Sequence, residues 1–397
     1  MSTRRKKKCN RRVGLKLNMH KPLPRAVFIA VLLFWLHFTP EFTYGYYQHT
    51  GMWVVRHQLT SKKKIDEVVK FAKDNGISDL FVQVIGRGRT YYYNDLLPES
   101  PNISNINFDP FDYICKQVGN SQIKVHAWLN ILLVWSHPER PLEKEHFIIQ
   151  YPNWFVVDNT NSSIASRSQL QLEQQGIEGK FLSPCIPEVR SLYKSVVKDL
   201  ISRYNIHGIH LDYIRFPSDK FGYHSCSREK FQAMTGLDPL YIHRSDLVQK
   251  FADRELIIKR WNDFRCGFID SVVGGIAKTV KARDDIQLSA AVKPDPDEAR
   301  KKYFQDWAGW INMQLVDFVI VMNYTRNHNK FIRIAKKIRS KSYHNKVWMG
   351  IGTYNQNPII TDKQVNTCKK YTYNGIALFS YQSIVDKDLF VKKFGLD

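Results

Sequence analysis

The stretch His207-Gly-Ile-His-Leu-Asp-Tyr-Ile-Arg-Phe-Pro217 contains a short apolar segment that ends at a carboxylate. A continuous apolar run such as 208–212 is typical of a parallel strand that is covered on both faces. Because strand side chains alternate, Asp212 projects from the end of this strand and His210 lies one pleat below it on the same face. A buried carboxylate is costly unless it is paired or functional. The stretch therefore predicts a buried parallel strand whose carboxyl end carries a functional acid.

Similar apolar segments recur along the chain and alternate with amphipathic, helical patterns. Eight strands that are each followed by a helix predict an α/β fold of the (β/α)8 type, a TIM barrel. A doubly wound open sheet is the alternative, but no glycine-rich phosphate-binding sequence follows the first strand. The predicted strands span residues 52–56, 79–85, 124–130, 208–212, 287–292, 317–323, 346–350 and 375–380, and the clearest predicted helices span residues 62–75, 188–204, 255–282 and 362–373.

Two connections are longer than ordinary barrel loops, one after strand three and one after strand four. They cover residues 131–187 and 213–254 and follow the carboxyl ends of strands, where barrel enzymes assemble their active sites. The first contains Trp135, Trp154 and Phe155, whose rings suit the apolar faces of sugars, although packing of the loop explains them equally well. These connections predict a cleft above the barrel.

The start of the chain has the layout of a targeting segment. Residues 1–25 hold ten Lys and Arg and no acid, and residues 26–38 are almost entirely apolar. This order is typical of an export signal, and an apolar run of about 13 residues is shorter than the roughly 20 that span a bilayer. A cleavage site at 43–45 is one interpretation, membrane attachment through 26–38 is another, and a buried helix after a nucleic-acid-binding arm is the third. We expect an exported protein, secreted, periplasmic or anchored to the membrane, with a targeting segment at 1–45 and a single barrel domain at 46–397.

The composition of the 397 residues excludes several classes of protein. Hydrophobic residues make up 43% and aromatic residues 13%, more than disordered or coiled-coil chains contain. Six cysteines are too few for a disulfide scaffold, none has zinc or redox spacing, and most are predicted to be core residues. The formal net charge of +22 favours an anionic polymer as partner, although spread charge also serves solubility. Because export argues against nucleic acid, a glycan or a membrane surface is the expected partner.

Cleavage of a glycosidic bond generally requires two carboxyl groups, so Asp212 needs a partner. Asp295 comes just past the fifth predicted strand, where it is expected to face Asp212 across the barrel mouth. The structural alternatives are an ion pair with Arg215 for Asp212 and a helix cap for Asp295, and Lys293 is placed to keep Asp295 ionised. Asp212 and Asp295 are the predicted catalytic residues.

Other polar side chains lie at the predicted strand ends, where they are expected to bind substrate. Burial against the backbone is a nearly equal alternative for His126. No histidine cluster has metal-ligand spacing and no Gly-x-Ser-x-Gly sequence is present, so neither a metal nor another cofactor is expected. The predicted substrate-binding residues are Gln83, Arg87, Arg89, His126, Trp128, Asn130, His210, Tyr213, Arg215, Asn323 and Tyr324.

Several motifs occur in the order seen in one protein family. They are Gly51-Met-Trp-Val-Val-Arg56, Phe81-Val-Gln-Val-Ile-Gly-Arg-Gly88, Val125-His-Ala-Trp-Leu-Asn130, the 207–217 stretch, Leu288-Ser-Ala-Ala-Val292, Pro294-Asp295-Pro296, Gln305-Asp306-Trp307 and Val321-Met-Asn-Tyr-Thr325. Together they resemble the glycosyl-hydrolase-like family 10 proteins over nearly everything from residue 51 onward.

This resemblance implies a (β/α)8 barrel, an extracytoplasmic location and action on a glycan. Family members with an assigned activity act on the glycan strands of bacterial peptidoglycan. The strand-four motif also looks like that of α-amylase-type barrels, which implies that Asp212 is the nucleophile and Asp295 the acid. Those enzymes use Glu as the acid, so the transfer to Asp295 is the weaker of the two.

The sequence departs from the family pattern at two places. Arg89 stands where the family usually has Asp, and Ser183-Pro184-Cys185 replaces the usual Asp-Pro-Gly. If the missing Asp contributes to catalysis, the protein is a weakened or inactive member. In another interpretation, Arg89 binds an anionic sugar such as a muramic acid whose peptide has been removed.

The function predicted from the sequence is a glycoside hydrolase that acts on an extracytoplasmic, peptidoglycan-type glycan by a two-carboxylate mechanism. The alternative is a barrel that binds glycan without cleaving it. A glycan esterase or deacetylase is a third candidate, but the sequence shows neither its metal cluster nor its serine site.

Overall fold

The computed structural model describes residues 48–103, 107–242 and 254–387. The predicted targeting segment at 1–45, with its apolar run at 26–38, lies outside these residues, so its role stays a prediction. Within the described ranges, no helix combines the length and the hydropathy needed to cross a membrane.

Eight parallel strands close into a barrel, which confirms the predicted (β/α)8 fold. They follow one another in the order β1-β2-β4-β7-β8-β9-β10-β11, and β11 pairs with β1 to complete the circle. Two short strands, β5 and β6, form an antiparallel ribbon in the long connection after β4, and β3 pairs with the end of β2. The strands are β1 His49–Val54, β2 Asp79–Gly86, β3 Arg89–Thr90, β4 Lys124–Asn130, β5 Leu133–Trp135, β6 Lys180–Phe181, β7 Gly208–Asp212, β8 Gln287–Val292, β9 Phe318–Met322, β10 Val347–Gly352 and β11 Gly375–Phe379.

Helices cover the outside of the barrel, and several begin with proline in the first turn, where its fixed φ and missing N–H are tolerated. The α-helices are α1 Lys62–Asp74, α2 Pro110–Val118, α3 Phe147–Gln150, α4 Gln169–Gln174, α5 Pro187–Arg203, α6 Ser225–Thr235, α7 Arg254–Val280, α8 Pro296–Tyr303, α9 Trp307–Asn312, α10 His328–Arg339, α11 Pro358–Lys370 and α12 Tyr381–Val385. Short 3-10 helices span Arg56–Thr60, Pro152–Trp154, Ile164–Ser166, Pro239–Tyr241, His344–Lys346 and Thr353–Asn355.

The first strand begins at His49, earlier than the predicted residue 52. Thr50 and Gly51 pair with β11 through the backbone, and backbone pairing leaves no apolar signal in the sequence. Gly51 is required here because a Cβ at this position would lie 2.7 Å from the ring of Phe81.

Large aromatic side chains fill the middle of the barrel. Trp53, Phe81, Trp128, Phe318 and Trp348 form a buried cluster, in which the rings of Phe318 and Trp348 stack at 4.3 Å. A barrel interior packed in this way is a core and not a pore. Any site must therefore lie above this cluster, at the strand ends.

Candidate active site

A cavity of about 540 Å³ opens at the carboxyl ends of the barrel strands. Residues in, or just beyond, all eight barrel strands contribute to its walls, together with side chains from the long connection after β4. This is the edge of the barrel at which the sequence predicts a cleft. Nine of the predicted site residues line the cavity: Gln83, Arg87, Trp128, Asn130, Asp212, Tyr213, Arg215, Asn323 and Tyr324.

Asp212 is the last residue of β7, and the strand register places it beside Asn130, the last residue of β4. The Asp212 Oδ1 atom accepts a hydrogen bond of 2.7 Å from the backbone N–H of Tyr213. Burial raises the pKa of Asp212 to about 6 and exceeds the opposing effects of that N–H, the Arg215 charge and the Trp128 indole. Asp212 therefore holds a proton at a pH where an ordinary aspartate has lost it.

A second carboxylate in the cavity, Glu178, comes from the long connection between β4 and α5. Its Oε1 atom accepts a hydrogen bond of 2.7 Å from Arg215 Nη2 and lies 3.7 Å from Lys293 Nζ. Burial opposes ionisation of Glu178, but the charges of Arg215 and Lys293 outweigh it and lower the pKa of this carboxyl. Glu178 is therefore ionised across the range in which Asp212 titrates.

The local sequence explains how Glu178 reaches the barrel mouth. The strand β6 begins two residues after Glu178 and pairs with β5, so the backbone at Gly179 passes very close to Trp135. A Cβ at Gly179 would overlap the backbone carbonyl of Trp135, and only glycine permits this approach. The ribbon therefore fixes the position of Glu178 over the strand ends.

The two carboxyl groups of the cavity thus have pKa values that are moved in opposite directions. Burial raises the pKa of Asp212, whereas two neighbouring cations lower that of Glu178. A separation of this kind assigns one group as a proton donor and the other as a base or nucleophile. The cavity can therefore support acid–base chemistry at a bond held between the two groups.

One wall of the cavity is aromatic. The rings of Tyr324 and Phe379 stack at 5.6 Å, and Trp53 contacts Phe379 edge-on at 5.7 Å. Among the polar atoms at the cavity, Asn130 Oδ1 and the Tyr324 hydroxyl are buried without a hydrogen-bond partner in the described part of the chain. Buried polar atoms normally have partners, so these two are placed to bind polar groups of a ligand.

Two cavity residues have strained backbone conformations. Arg87 has a φ of 55° and Tyr213 a φ of 52°, in the left-handed region that residues other than glycine rarely adopt. Each comes at the end of a barrel strand, and Tyr213 directly follows Asp212. Strain of this kind is typical of functional sites, where the surrounding structure holds a side chain in one direction.

His126 and His210 point into the barrel as predicted, but both are fully buried and neither lines the cavity. His126 Nε2 lies 2.9 Å from a carboxylate oxygen of Asp79. His210 accepts a 3.3 Å hydrogen bond from the indole of Trp53 and donates one of 2.8 Å to the Ser289 hydroxyl. Both rings lie in the barrel interior, below its mouth, so each imidazole forms its hydrogen bonds with other residues of the barrel and not with groups in the cavity.

Arg89 also lies outside the cavity. Its guanidinium is 2.6 Å from a carboxylate oxygen of Glu143 and 5.0 Å from the centre of the Trp135 ring. The carboxylate that Arg89 binds here therefore comes from the chain itself, and the structure does not bring Arg89 together with Asp212.

Asp295 does not line the cavity that contains Asp212. It is the N-cap of α8, accepts hydrogen bonds from the backbone N–H groups of Asp297 and Glu298, and lies 2.8 Å from Lys337 Nζ. Burial opposes ionisation of the Asp295 carboxyl, but the hydrogen bond from Lys337 and the two cap hydrogen bonds outweigh burial and lower its pKa. The geometry matches the structural alternative, a helix cap, because the chain turns into α8 at Pro296.

Comparison with known proteins decides the family. The family model for glycosyl hydrolase-like 10 proteins matches residues 48–381. The chain belongs to this family. Its (β/α)8 barrel is the fold that the family resemblance implies.

Relatives of this glycosyl hydrolase-like 10 protein match over shorter stretches. Glycosyl hydrolase DigH of Escherichia coli K12 is 26% identical over 144 residues, which is 34% of this chain and 30% of DigH. Glycosyl hydrolase YngK of Bacillus subtilis is 21% identical over 175 residues, 42% of this chain and 31% of YngK. The matched region thus spans about a third of each relative.

Solved structures share the fold. The PgaB (BpsB) glycoside hydrolase domain from Bordetella bronchiseptica has a TM-score of 0.59 and 14% identity, and the match covers 86% of this chain and 98% of that domain. The catalytic domain of β-amylase from Paenibacillus polymyxa has a TM-score of 0.57 and 10% identity, with coverage of 86% and 94%. At these identities the likeness concerns the barrel alone.

Sequence reasoning missed Glu178, which lies in a connection without periodic structure and among several other acids. The single local signal is the adjoining Gly179, whose role depends on the pairing of β5 with β6. It also missed Trp53, Tyr354 and Phe379 as cavity residues, because an aromatic residue at a strand end has the same pattern as one in the core. Within the described ranges, no cluster of three or more His, Cys, Asp and Glu could hold a metal ion.

Proposed function

We propose that this protein is a glycoside hydrolase in which Asp212 is the proton donor and Glu178 the ionised partner. The observation that carries the proposal is the presence of both carboxyl groups in one strand-end cavity, with pKa values moved in opposite directions. This assignment differs from the one implied by the resemblance to α-amylase-type barrels, in which Asp212 is the nucleophile and Asp295 the acid.

The reaction needs a proton and a negative charge on opposite sides of the scissile bond. The Asp212 carboxyl gives its proton to the glycosidic oxygen as the bond between that oxygen and the anomeric carbon breaks. In one route the Glu178 carboxylate bonds to the anomeric carbon, and water, giving a proton to the Asp212 carboxylate, then breaks that bond and frees Glu178. In the other route Glu178 takes a proton from the water that attacks the anomeric carbon directly. Both routes consume one water and release two shorter glycans. Carboxyl groups about 5 Å apart lead to retention of the anomeric configuration, and carboxyl groups roughly 6.5–9.5 Å apart lead to inversion.

The remaining walls suit a carbohydrate. The partly exposed rings of Tyr324 and Phe379, which pack on Trp53 below them, offer apolar faces for sugar rings, while Asn130 Oδ1 and the Tyr324 hydroxyl offer unpaired polar atoms for sugar hydroxyls. Asn323 lines the same cavity, but its amide N–H already donates to the backbone carbonyl of Phe331.

We further propose that the substrate is an extracytoplasmic glycan of the peptidoglycan type. The relatives DigH and YngK are named glycosyl hydrolases, and the basic and apolar pattern at 1–38 favours export. Membrane attachment through residues 26–38 belongs to the same proposal. Mass analysis of the amino terminus of the mature protein tests it, since cleavage near residue 45 removes the attachment and an intact amino terminus retains it.

Incubation of the full chain with peptide-free peptidoglycan glycan strands, followed by mass spectrometry of the products, tests the function. We expect shortened strands from the wild type and from Asp295→Asn, whose carboxylate lies outside the cavity, and none from Asp212→Asn or Glu178→Gln. Strands that remain bound but intact with the wild type would favour the glycan-binding barrel instead.

A further inference from the structure

The cavity contains more positive than negative charge. Among the residues that the structure describes, five cationic side chains line it, against the two carboxyl groups of Asp212 and Glu178. Two of these cations, Arg215 and Lys293, are ion-paired with Glu178. The cations that remain are Arg56, Arg87 and Lys330.

Arg56 and Arg87 make hydrogen bonds to neutral groups. Arg56 Nη1 donates to Gln83 Oε1 at 3.1 Å, and Arg87 Nε donates to the Ser136 hydroxyl at 3.3 Å. Neither guanidinium forms an ion pair within residues 48–103, 107–242 and 254–387. Because each guanidinium has five N–H donors, both retain donors for a ligand.

The two guanidinium groups also act on each other. Burial and then the charge of Arg56 lower the pKa of Arg87, and burial together with both arginine charges lowers the pKa of the neighbouring His57. Two like charges held together in a half-buried site are unfavourable unless an anion joins them. A ligand carboxylate would remove this repulsion.

The protein holds Arg87 at the cavity despite the backbone strain there. The Arg87 carbonyl accepts a 2.9 Å hydrogen bond from His146 Nε2, and a Cβ at the following Gly88 would lie 2.7 Å from that same nitrogen. The imidazole and the glycine therefore fix the turn that directs Arg87 toward the cavity. The neighbouring Arg89 has its own carboxylate in Glu143 and is not available.

We propose that Arg56 and Arg87 form a subsite for a carboxylate carried by the glycan, so that the protein selects an acidic sugar. This inference rests on the proposed function for the position of the sugar chain. The planar guanidinium fork matches a carboxylate with two parallel hydrogen bonds, which makes the pair selective as well as attractive. Either a uronic acid or a carboxylate-bearing ether substituent, as in muramic acid, supplies this chemistry.

Calorimetric binding to the full chain tests the subsite with two matched pairs of probes. One pair is a uronic acid-containing oligosaccharide and its carboxyl-reduced form, and the other is a muramic acid-containing glycan strand and its carboxyl-reduced form. The variants are Arg56→Gln, Arg87→Gln and the double variant. The exposed Arg260→Gln serves as the control because it removes the same charge from a residue that does not line the cavity.

We expect at least one acidic probe to bind about tenfold or more tightly than its reduced form, which corresponds to about 1.4 kcal/mol. The double variant is expected to abolish this difference and each single variant to reduce it, whereas Arg260→Gln leaves it unchanged. Added salt is expected to weaken binding of the acidic probe more than that of the reduced one. The pair that shows the difference identifies the source of the carboxylate.

Equal binding of the acidic and reduced forms in both pairs, or a preference that survives in the double variant, would overturn the subsite. Failure of the subsite is distinguishable from failure of the proposed function. Cleavage without a preference for the acid contradicts the subsite alone, and a preference without cleavage contradicts the hydrolase alone. A thermal melt of each variant identifies any that fails to fold, and the remaining single variants then decide.

Discussion

Arg215 Nη2 lies 2.7 Å from Glu178 Oε1. This ion pair joins the loop that follows β7 to the long loop that follows β4 at the barrel mouth. The Arg215 side chain is buried and also contacts the rings of Phe181 and Tyr213 at 5.4 Å and 5.2 Å. Because it cannot move away from Glu178, its charge keeps that carboxylate ionised. Arg215 is therefore a positioning residue for the proposed reaction.

The first prediction concerns the acid limb of the pH–activity profile. In Arg215→Met, Glu178 loses its nearest positive charge, so the pKa of Glu178 rises. The acid limb, where activity is lost as the pH falls, is therefore expected at a higher pH than in the wild type. Arg215→Lys keeps a charge and is expected to move the limb less. A steady-state profile of kcat against pH checks this, with thermal melts as the control for folding. An unchanged acid limb in Arg215→Met would show that the ion pair has no effect on the catalytic group.

The second prediction concerns the basic limb in the wild type. A proton donor must be protonated, and the pKa of Asp212 is about 6, so kcat is expected to fall as the pH rises through about 6. If Asp212 were the nucleophile, kcat would rise through the same pH. The direction of the change near pH 6 thus separates the two roles of Asp212.

The third prediction concerns stability. The pKa of Asp212 is raised in the folded state from 3.8 to about 6, so the unfolded chain ionises first as the pH rises and folding stability is lost between those values. At pH 7 this loss is about 3 kcal/mol. Asp212→Asn removes the titration, so we expect the variant to be more stable than the wild type at pH 7 and nearly equal at pH 4. Denaturant unfolding at both pH values measures it, and a variant that gains nothing at pH 7 contradicts the raised pKa.

The fourth prediction concerns Asp295. Asp295→Ala removes the cap of α8 and the ion pair with Lys337, which should reduce the free energy of unfolding by about 1–2 kcal/mol. Because the pKa of Asp295 is lowered in the folded state, this contribution is present above pH 4 and is lost as the pH falls. Activity is expected to stay within about threefold of the wild type. A loss comparable to that of Asp212→Asn would return Asp295 to the catalytic machinery.

The barrel could be predicted from the sequence because parallel strands covered on both faces are continuous apolar runs. The bounds of β4, β7 and β8 agree with the predicted strands at 124–130, 208–212 and 287–292. The positions of Asn130 and Asp212 at the cavity follow from the same signal, since both end strands that pair in register.

The rest of the site depends on contacts that the local sequence does not record. Glu178 reaches the cavity through the pairing of β5 with β6, which brings together residues far apart in the chain. An aspartate just past a strand has the same local sequence pattern whether it is a catalytic acid or a helix cap. For Asp295 the deciding contact is with Lys337 on α10, which is distant in the sequence. For His210, the period of the strand gives the face but not the depth below the barrel mouth.

A comparison of two leaving groups separates the proton-donating role proposed for Asp212 from the role proposed for Glu178 as the ionised partner. The substrates are the glycan strand that the wild type cleaves and its dinitrophenyl glycoside, whose leaving group departs without a proton. We predict that Asp212→Asn loses about 10²–10⁴-fold in kcat on the strand but less than about tenfold on the dinitrophenyl glycoside. Glu178→Gln should lose activity on both. Equal losses on the two substrates in Asp212→Asn would show that Asp212 is not the proton donor, and full activity in Glu178→Gln would show that Glu178 takes no part in the reaction.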